Sequence, residues 1–320
     1  MDTGSHLLFG ATLAGLAYFD PAVAAHPELA HAVLAATLLG SHAPDFDTIT
    51  RIKGYSNYIR HHRGITHSLP ALLVWPALIS LLMGYLFGDM NQFAHLYFWS
   101  FIAVVFHVFL DLFNAYGVQS FRPFSQKWFH MDILSLYEPF LFLIHVLGLV
   151  IWIFTSYSPS IIFGAVYAIT FAYIAARTFH HHFVVKRVQF ELNQEGICHV
   201  IPDLHWFRWQ FVLETDTFSY TGKVNYRDVT VHDVYQKDSN NKVVQASMRT
   251  DGVRAFLHFA QRVHVSFTEK NDGYEVKWRD LRFCHNRKLP FGVDVQLDQN
   301  LNVIEDKIGW SKKSWDPPYV

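Results

Sequence analysis

The chain has 320 residues, of which 51% are hydrophobic and 17% aromatic, and its formal net charge is −1. That is enough for two domains of ordinary size, and the charge balance gives no reason to expect a nucleic-acid partner. Cys198 and Cys284 are the two cysteines. They form neither a disulfide framework nor a Cys-type zinc site, and a reducing compartment fits them.

The average hides a split. Residues 1–176 are apolar with few charges, and residues 177–320 carry most of the Lys, Arg, Asp and Glu. Such a split predicts a membrane-embedded domain over 1–180 and a soluble cytoplasmic β-rich domain over 181–320. The N-terminus opens Met1-Asp2, with an acid where a signal peptide carries bases, so this segment is expected to be retained.

In chain order, 5–19 and 28–40 are two short apolar runs about an Asp20-Pro21 turn. Each falls short of the roughly 20 residues of a full span, so they read as short helices or a re-entrant hairpin. Residues 69–88 are uncharged and read as a span, with Pro76 inside it. Residues 93–110 form another span that ends in Asp111. Residues 139–176 lack Asp, Glu, Lys and Arg, and Ser156-Tyr157-Ser158-Pro159 divides them into two spans. The expectation is a membrane all-α bundle of about six transmembrane or re-entrant helices.

The loop 41–68 carries Arg51, Lys53, Arg60 and Arg63, and the loop 116–138 carries Arg122 and Lys127. Arg177, Lys186 and Arg187 follow the last span. The alternate connections 20–27, 88–92 and 155–160 hold no Lys or Arg. By the positive-inside rule the protein is multi-pass with both termini cytoplasmic.

Beyond residue 183 short alternating stretches predict an antiparallel β or α+β domain: Val184–Glu191, Trp206–Val212, Val229–Tyr235, Arg262–Thr268, Tyr274–Phe283 and Asp294–Leu297. Turns are expected at Asn193–Gly196, 238–241 and Asn271-Asp272-Gly273, the last a hairpin. Residues 249–262 read as one short helix.

The chemistry-bearing residues fall on one side of this topology. His6 opens the first helix. Asp45, Asp47, His61, His62, Arg63 and His67 lie in a cytoplasmic loop. On a helix starting near Phe93 and running inward, His107 lies roughly 21 Å and Asp111 roughly 27 Å along the axis, near the inner boundary. These two stand at i and i+4 and share a face; ionisable groups in a membrane helix are costly and usually functional. Imidazoles with carboxylates and no thiolate suit Zn²⁺, Mn²⁺ or Fe²⁺ at a catalytic site. His6, Asp45, Asp47, His62, His67, His107 and Asp111 exceed one tetrahedral shell. One or more ions are therefore expected, and a two-metal site suits phosphoester hydrolysis by activated water. Asp45 is also a candidate catalytic carboxylate, and Arg63 a candidate to neutralise an anionic substrate. Plainer readings stand beside these: His6 as an interfacial histidine, Asp45/Asp47 as a turn and helix cap, and His107–Asp111 as a structural hydrogen bond.

These residues carry a resemblance. Met1-Asp2 with His6, Gly40-Ser41 with Pro44-Asp45-Phe46-Asp47, the run His62 to Ser68, His107-Val108-Phe109-Leu110-Asp111, and Phe113 to Gly117 with Arg122 to Ser125 resemble the YdjM/YbcI-type membrane proteins. The similarity covers roughly 1–180. The segments Trp278 to Phe283 and Pro290-Phe291 are similar to its YfhP-like branch. The resemblance implies a metal-dependent hydrolase of the bacterial inner membrane, with His6, Asp45, His62, His67, His107 and Asp111 at its motif positions. A looser similarity is to zinc-dependent phospholipase C, which uses its processed N-terminal residue as a ligand, whereas His6 here is internal. The expected activity is hydrolysis of a phosphoester, a lipid headgroup among the candidates, at the bilayer surface. The alternative is a non-catalytic membrane scaffold or regulator presenting the C-terminal domain to a partner. A metal transporter using His107 and Asp111 fits less well, since the other ligands gather at one surface.

Overall fold

The computed structural model describes residues 1–237, 241–284 and 287–311. It separates into two units. The first comprises Met1–Asp47 and Arg63–His180, and the second comprises Thr48–His62 and the chain from His181 onward.

The first unit is helical. It holds α1 (Thr3–Leu16), α2 (Pro21–Ala25) and α3 (Pro27–Gly40); α4 (Tyr55–His61) belongs to the second unit. Next come α5 (Leu69–Leu86), α6 (Phe93–Leu112), α7 (Pro139–Phe154) and α8 (Pro159–Leu192), whose last residues from His181 fall in the second unit. Asp2 caps α1, its Oδ1 accepting from the Ser5 N–H at 3.0 Å. Prolines in the opening turns of α2, α3, α5 and α7 sit where no intrahelical donor is needed.

Three helical segments among the described residues are long and apolar enough to cross a membrane: Leu69–Leu86, Met90–Leu112 and Pro159–Leu192. The expected six spans are not confirmed. Helices α1 and α3 have 14 residues each and α7 has 16. Fourteen residues reach about 21 Å, short of a hydrocarbon core about 30 Å thick.

Helices α3, α5 and α6 share an apolar core that includes Val33, Ala36, Ile79, Met83, Leu96 and Val104. Two glycines set the close approaches nearest the polar end. A Cβ on Gly10 would lie 2.4 Å from Ser41 Oγ, and one on Gly40 would lie 3.0 Å from both the Ala103 Cβ and the Ser100 carbonyl oxygen. Backbones therefore touch where α1 meets the end of α3 and where α3 meets α6. Deeper in the bundle His145 is held by two hydroxyls, Thr12 Oγ1 at 2.8 Å from Nδ1 and Thr170 Oγ1 at 3.0 Å from Nε2. Both ring nitrogens are thus satisfied within the apolar interior.

The second unit contains two four-stranded antiparallel meanders. The first is β1 (Ile197–Pro202), β2 (Arg208–Glu214), β3 (Phe218–Asn225) and β4 (Asp228–Gln236). Helices α9 (Lys242–Ser247) and α10 (Asp251–Phe259) follow, then β5 (Val263–Lys270), β6 (Gly273–Asp280), β7 (Phe291–Asp298) and β8 (Val303–Trp310). The hairpin expected at Asn271-Asp272-Gly273 joins β5 to β6, pairing Lys270 with Gly273 at φ 150°. The expected helix within 249–262 is α10. Of the turn expected at 238–241, residues 238–240 lie outside the described residues. One expectation is corrected: Val184–Glu191 is helical, within α8. Val184 and Val188 stand four apart and both bury against Val200, Trp209 and Phe211, so the helical period prevails over the apparent alternation. Strands β1, β3 and β8 were not expected.

Candidate metal centre

The sequence brings four helix ends to one place in the first unit. His6 lies in the first turn of α1, and Ser41 follows α3. His67 closes the short 3₁₀ turn Ile65–His67 just before α5, and His107 and Asp111 occupy the last turns of α6. Asp45 and Asp47 lie on the 3₁₀ segment Ala43–Lys53. Antiparallel neighbours α5 and α6 therefore present the start of one and the end of the other at the same edge.

Asp45, His67, His107 and Asp111 are all buried, and one ligand atom from each lies within 4.8 Å of the others. His67 Nε2 is 3.5 Å from Asp45 Oδ1 and 3.5 Å from Asp111 Oδ2. His107 Nε2 is 3.7 Å from each of the same two oxygens. The two Nε2 atoms stand 3.3 Å apart. A tetrahedral shell with bonds of about 2.0–2.1 Å has ligand-to-ligand edges of about 3.3–3.4 Å, and the edges that involve the two imidazoles, 3.3 to 3.7 Å, come close to that spacing. Asp45 Oδ1 and Asp111 Oδ2 are buried and accept no hydrogen bond. Orphaned buried carboxylate oxygens are expensive unless something cationic completes them. Nearby, the three carboxylates Asp45, Asp47 and Asp111 face two cationic groups, Arg63 and the Met1 amine, so even with both charged a deficit of positive charge remains.

Contacts behind the donors orient them. His107 Nδ1 donates to the Ser41 carbonyl at 2.7 Å, which turns its Nε2 inward as the ligand atom. The Thr66 hydroxyl donates to Asp47 Oδ2 at 2.5 Å and lies 3.1 Å from His67 Nδ1. It therefore accepts from that nitrogen, and His67 likewise turns Nε2 inward. Asp47 stands one step back: its Oδ2 is 3.9 Å from His67 Nδ1 and also accepts from the Arg63 backbone N–H at 3.0 Å.

The other oxygen of Asp111 is crowded with donors. Its Oδ1 accepts from the Met1 α-amine, from Arg63 Nη2 at 3.2 Å and from Asn114 Nδ2 at 3.1 Å. His6 Nε2 is 3.4 Å from the same oxygen and 2.9 Å from the Met1 nitrogen, and its ring stacks on His107 with centroids 3.8 Å apart. Arg63 gives Nη1 to Asn114 Oδ1 at 3.0 Å and is held at φ 60°. Its guanidinium thus serves Asp111 directly. His62 follows α4, stacks on Tyr58 at 4.7 Å and belongs to the second unit. His61 caps Asn57, its Nδ1 2.8 Å from that carbonyl oxygen.

Without an ion the charges settle among themselves. Burial favours the neutral acid at Asp45, but the facing His107 and His67 hold its carboxyl well below the usual carboxylate range. Burial disfavours a charged His67, yet Asp111 and Asp45 outweigh it and push the ring up to about 9. A proton on His67 then fills part of the role of a cation between the two carboxylates.

Met1, Ser41, Thr66 and Asn114 take part without a role that the sequence had assigned them. The Met1 amine is a backbone group that no side-chain pattern reveals. Asn114, whose Oδ1 also accepts from the N–H groups of Tyr116 at 2.9 Å and Gly117 at 3.3 Å, stood within the Phe113 to Gly117 run that carries the resemblance but had no role of its own assigned. Its signal was its position three residues beyond Asp111.

Comparison with known proteins gives the family. Residues 1–184 match the model described as YdjM inner membrane protein, and residues 242–316 match the YfhP C-terminal alpha/beta plait domain. An uncharacterized protein of Bacillus subtilis (strain 168), YfhP, is 36% identical over 97% of this chain and 95% of its own length. No solved structure matches. The buried His/Asp cluster and the membrane-length helices thus lie in the part of the chain matched by the first model, and the chain belongs to the YdjM inner membrane protein family.

Proposed function

We propose that the protein is a membrane-bound, metal-dependent hydrolase that acts on a phosphoester at the cytoplasmic face of the bilayer. The observation that carries this reading is the buried four-donor cluster, two imidazole nitrogens turned inward towards two orphaned carboxylate oxygens 3.5 to 3.7 Å away. His67, His107, Asp45 and Asp111 would hold the ion, with zinc favoured by the nitrogen and oxygen donors and manganese or iron the alternatives. A bound divalent ion supplies an acidified water and a Lewis acid for a phosphoryl oxygen.

The chain's own residues do the rest. Ser41 and Thr66 fix the two imidazoles. Arg63, Asn114 and the Met1 amine hold and aim Asp111. Asp45, less buried than Asp111, is the carboxylate placed to take a proton from an attacking water. His6 and Asp47, just behind these four, are the candidates to widen the set to a second ion. An anionic substrate reaching the centre would share Arg63 with Asp111. The cytoplasmic placement rests on the Lys and Arg of the loops 41–68 and 116–138.

The test is metal analysis and a phosphoester screen on the protein purified from membranes. Near-stoichiometric divalent metal in the wild type, lost in His67→Ala and His107→Ala, is the expected result, with turnover that disappears in the same variants. Wild-type protein that carries no divalent metal, and takes none up, defeats the proposal. Metal retained without turnover on any phosphoester leaves a structural centre, and the scaffold reading replaces the enzymatic one.

A further inference from the structure

A groove of about 530 Å³ opens beside the metal centre in the first unit, within the range of small-molecule sites. One wall is a single face of α5: Ala71, Val74, Trp75 and Leu78, at i, i+3, i+4 and i+7. Thr66 and Arg122 are at the polar end. Three features make this more than a dent in an apolar surface. First, α5 is a membrane-length helix, and Val74 and Leu78 are each 53% exposed, so the wall faces acyl chains rather than water. Second, Arg122 brings a positive charge to a mostly apolar trough whose other polar lining residues, Thr66, Ser68 and Gln126, are uncharged, and its Nε is buried without a hydrogen-bond partner. A buried guanidinium nitrogen left unpaired is an unmet demand for an anion. Third, the polar end adjoins the candidate ligands. Thr66 lines the groove, bonds Asp47 and His67, and is fixed from the other side by Trp75 Nε1 on its carbonyl at 3.2 Å.

We infer that this groove binds one anionic phospholipid, its phosphate at Arg122 and one acyl chain along α5, and that this lipid is the substrate class of the neighbouring centre. The wall from Ala71 to Leu78 runs about 10 Å along the helix, long enough for the upper part of a fatty chain. The phosphate would then sit where Thr66 separates the groove from His67, which brings its ester linkages to the edge of the donor set. The substrate assignment rests on the hydrolase reading above, but the binding does not.

The full chain in detergent is titrated with dioctanoyl phosphatidylglycerol, dioctanoyl phosphatidylcholine and inorganic phosphate, with bound ligand counted by native mass spectrometry and metal content measured in parallel. Wild type is expected to bind phosphatidylglycerol in preference to phosphatidylcholine and to ignore inorganic phosphate. Arg122→Gln should weaken phosphatidylglycerol binding roughly tenfold, the weight of a charge-assisted bond. Ala71→Trp, which fills the trough, should abolish it. Leu73→Trp on the opposite face of α5 should bind like wild type, and all three variants should keep wild-type metal content. Unchanged phosphatidylglycerol binding in both Arg122→Gln and Ala71→Trp overturns the inference, as does inorganic phosphate binding as well as the lipid, which would mark a free-phosphate site. Lipid binding that is lost in both groove variants while wild type shows no turnover upholds the groove and refutes only the hydrolase reading. Turnover of soluble phosphoesters that never extends to the bound phosphatidylglycerol upholds the hydrolase reading and refutes the assignment of this lipid as its substrate.

Discussion

Replacing Asp111 by Asn separates a metal ligand from a structural ion pair, because the two oxygens of this carboxylate have different partners. Oδ2 faces His67 at 3.5 Å and His107 at 3.7 Å and accepts no hydrogen bond, while Oδ1 takes Arg63, Asn114 and the Met1 amine. An amide keeps the shape and one acceptor, so the Oδ1 bonds survive in weakened form. It removes the charge, leaving the 5%-exposed Arg63 without its close counter-ion. Stranding one member of a buried pair costs about 3–5 kcal/mol, and the surviving bonds place Asp111→Asn near the lower end. The metal effect is independent of this. An ion that binds only the folded protein adds about 2.7 kcal/mol at a hundred times its dissociation constant. Denaturant unfolding in detergent, with and without zinc or a chelator, reads both terms. The wild type should gain stability with zinc and lose that gain on chelation. Asp111→Asn should start lower and respond to neither. A variant that still gains stability with zinc refutes Asp111 as a ligand, and a metal-free variant as stable as the metal-free wild type refutes its role as the counter-ion of Arg63.

The remaining predictions address pH, packing and the second unit. In the metal-free protein His67 titrates near 9, so a proton competes with the ion at neutral pH; apparent zinc affinity should rise about tenfold per pH unit towards that value, with one proton released per ion in calorimetry across buffers of different ionisation heat. The raised His67 value also means that its contribution to metal-free stability is complete below the ordinary 6.5 and lost as pH rises through about 9. The lowered Asp45 acts in the opposite sense, present above the ordinary 3.8 and lost as pH falls through its depressed value; unfolding midpoints on chelated protein check both signs. Gly10→Ala would place its methyl 2.4 Å from Ser41 Oγ and 2.9 Å from the Thr37 carbonyl oxygen, displacing the carbonyl that holds His107; stability should fall by about 1–3 kcal/mol and metal occupancy should fall with it. In the second unit Arg282 is 2% exposed and bonds Asp280 at 2.7 Å, so Arg282→Ala should cost about 3–5 kcal/mol by stranding the carboxylate, read as increased protease sensitivity of the C-terminal part.

What the sequence revealed of the centre, and what it concealed, follows from how each residue announces itself. His107 and Asp111 stood out because four apolar helical turns give no other reason for an imidazole and a carboxylate on one face. Val184–Glu191 misled because its valines satisfy both periods, and only the neighbours in β1 and β2 decide between them. Met1, Ser41 and Asn114 act through an amine, a carbonyl and a side-chain amide, groups that carry no periodicity and acquire a role only when distant helix ends meet. The run His61 to His67 shows the difference most plainly. Three histidines within seven positions looked like one motif, yet His61 turns back on its own helix and His62 stacks on Tyr58. His67 alone among them lies in the buried four-donor set, because the left-handed turn at Arg63 and the short 3₁₀ turn re-aim the chain after the helix ends. Arg63 is fixed in that turn by Asp47 on its backbone N–H and by the Gln119 N–H on its carbonyl, and it spends its guanidinium on Asp111. One residue thus sets the direction of the chain into His67 and holds the carboxylate opposite, which makes Arg63 the residue through which the loop and α6 are brought into register at the centre.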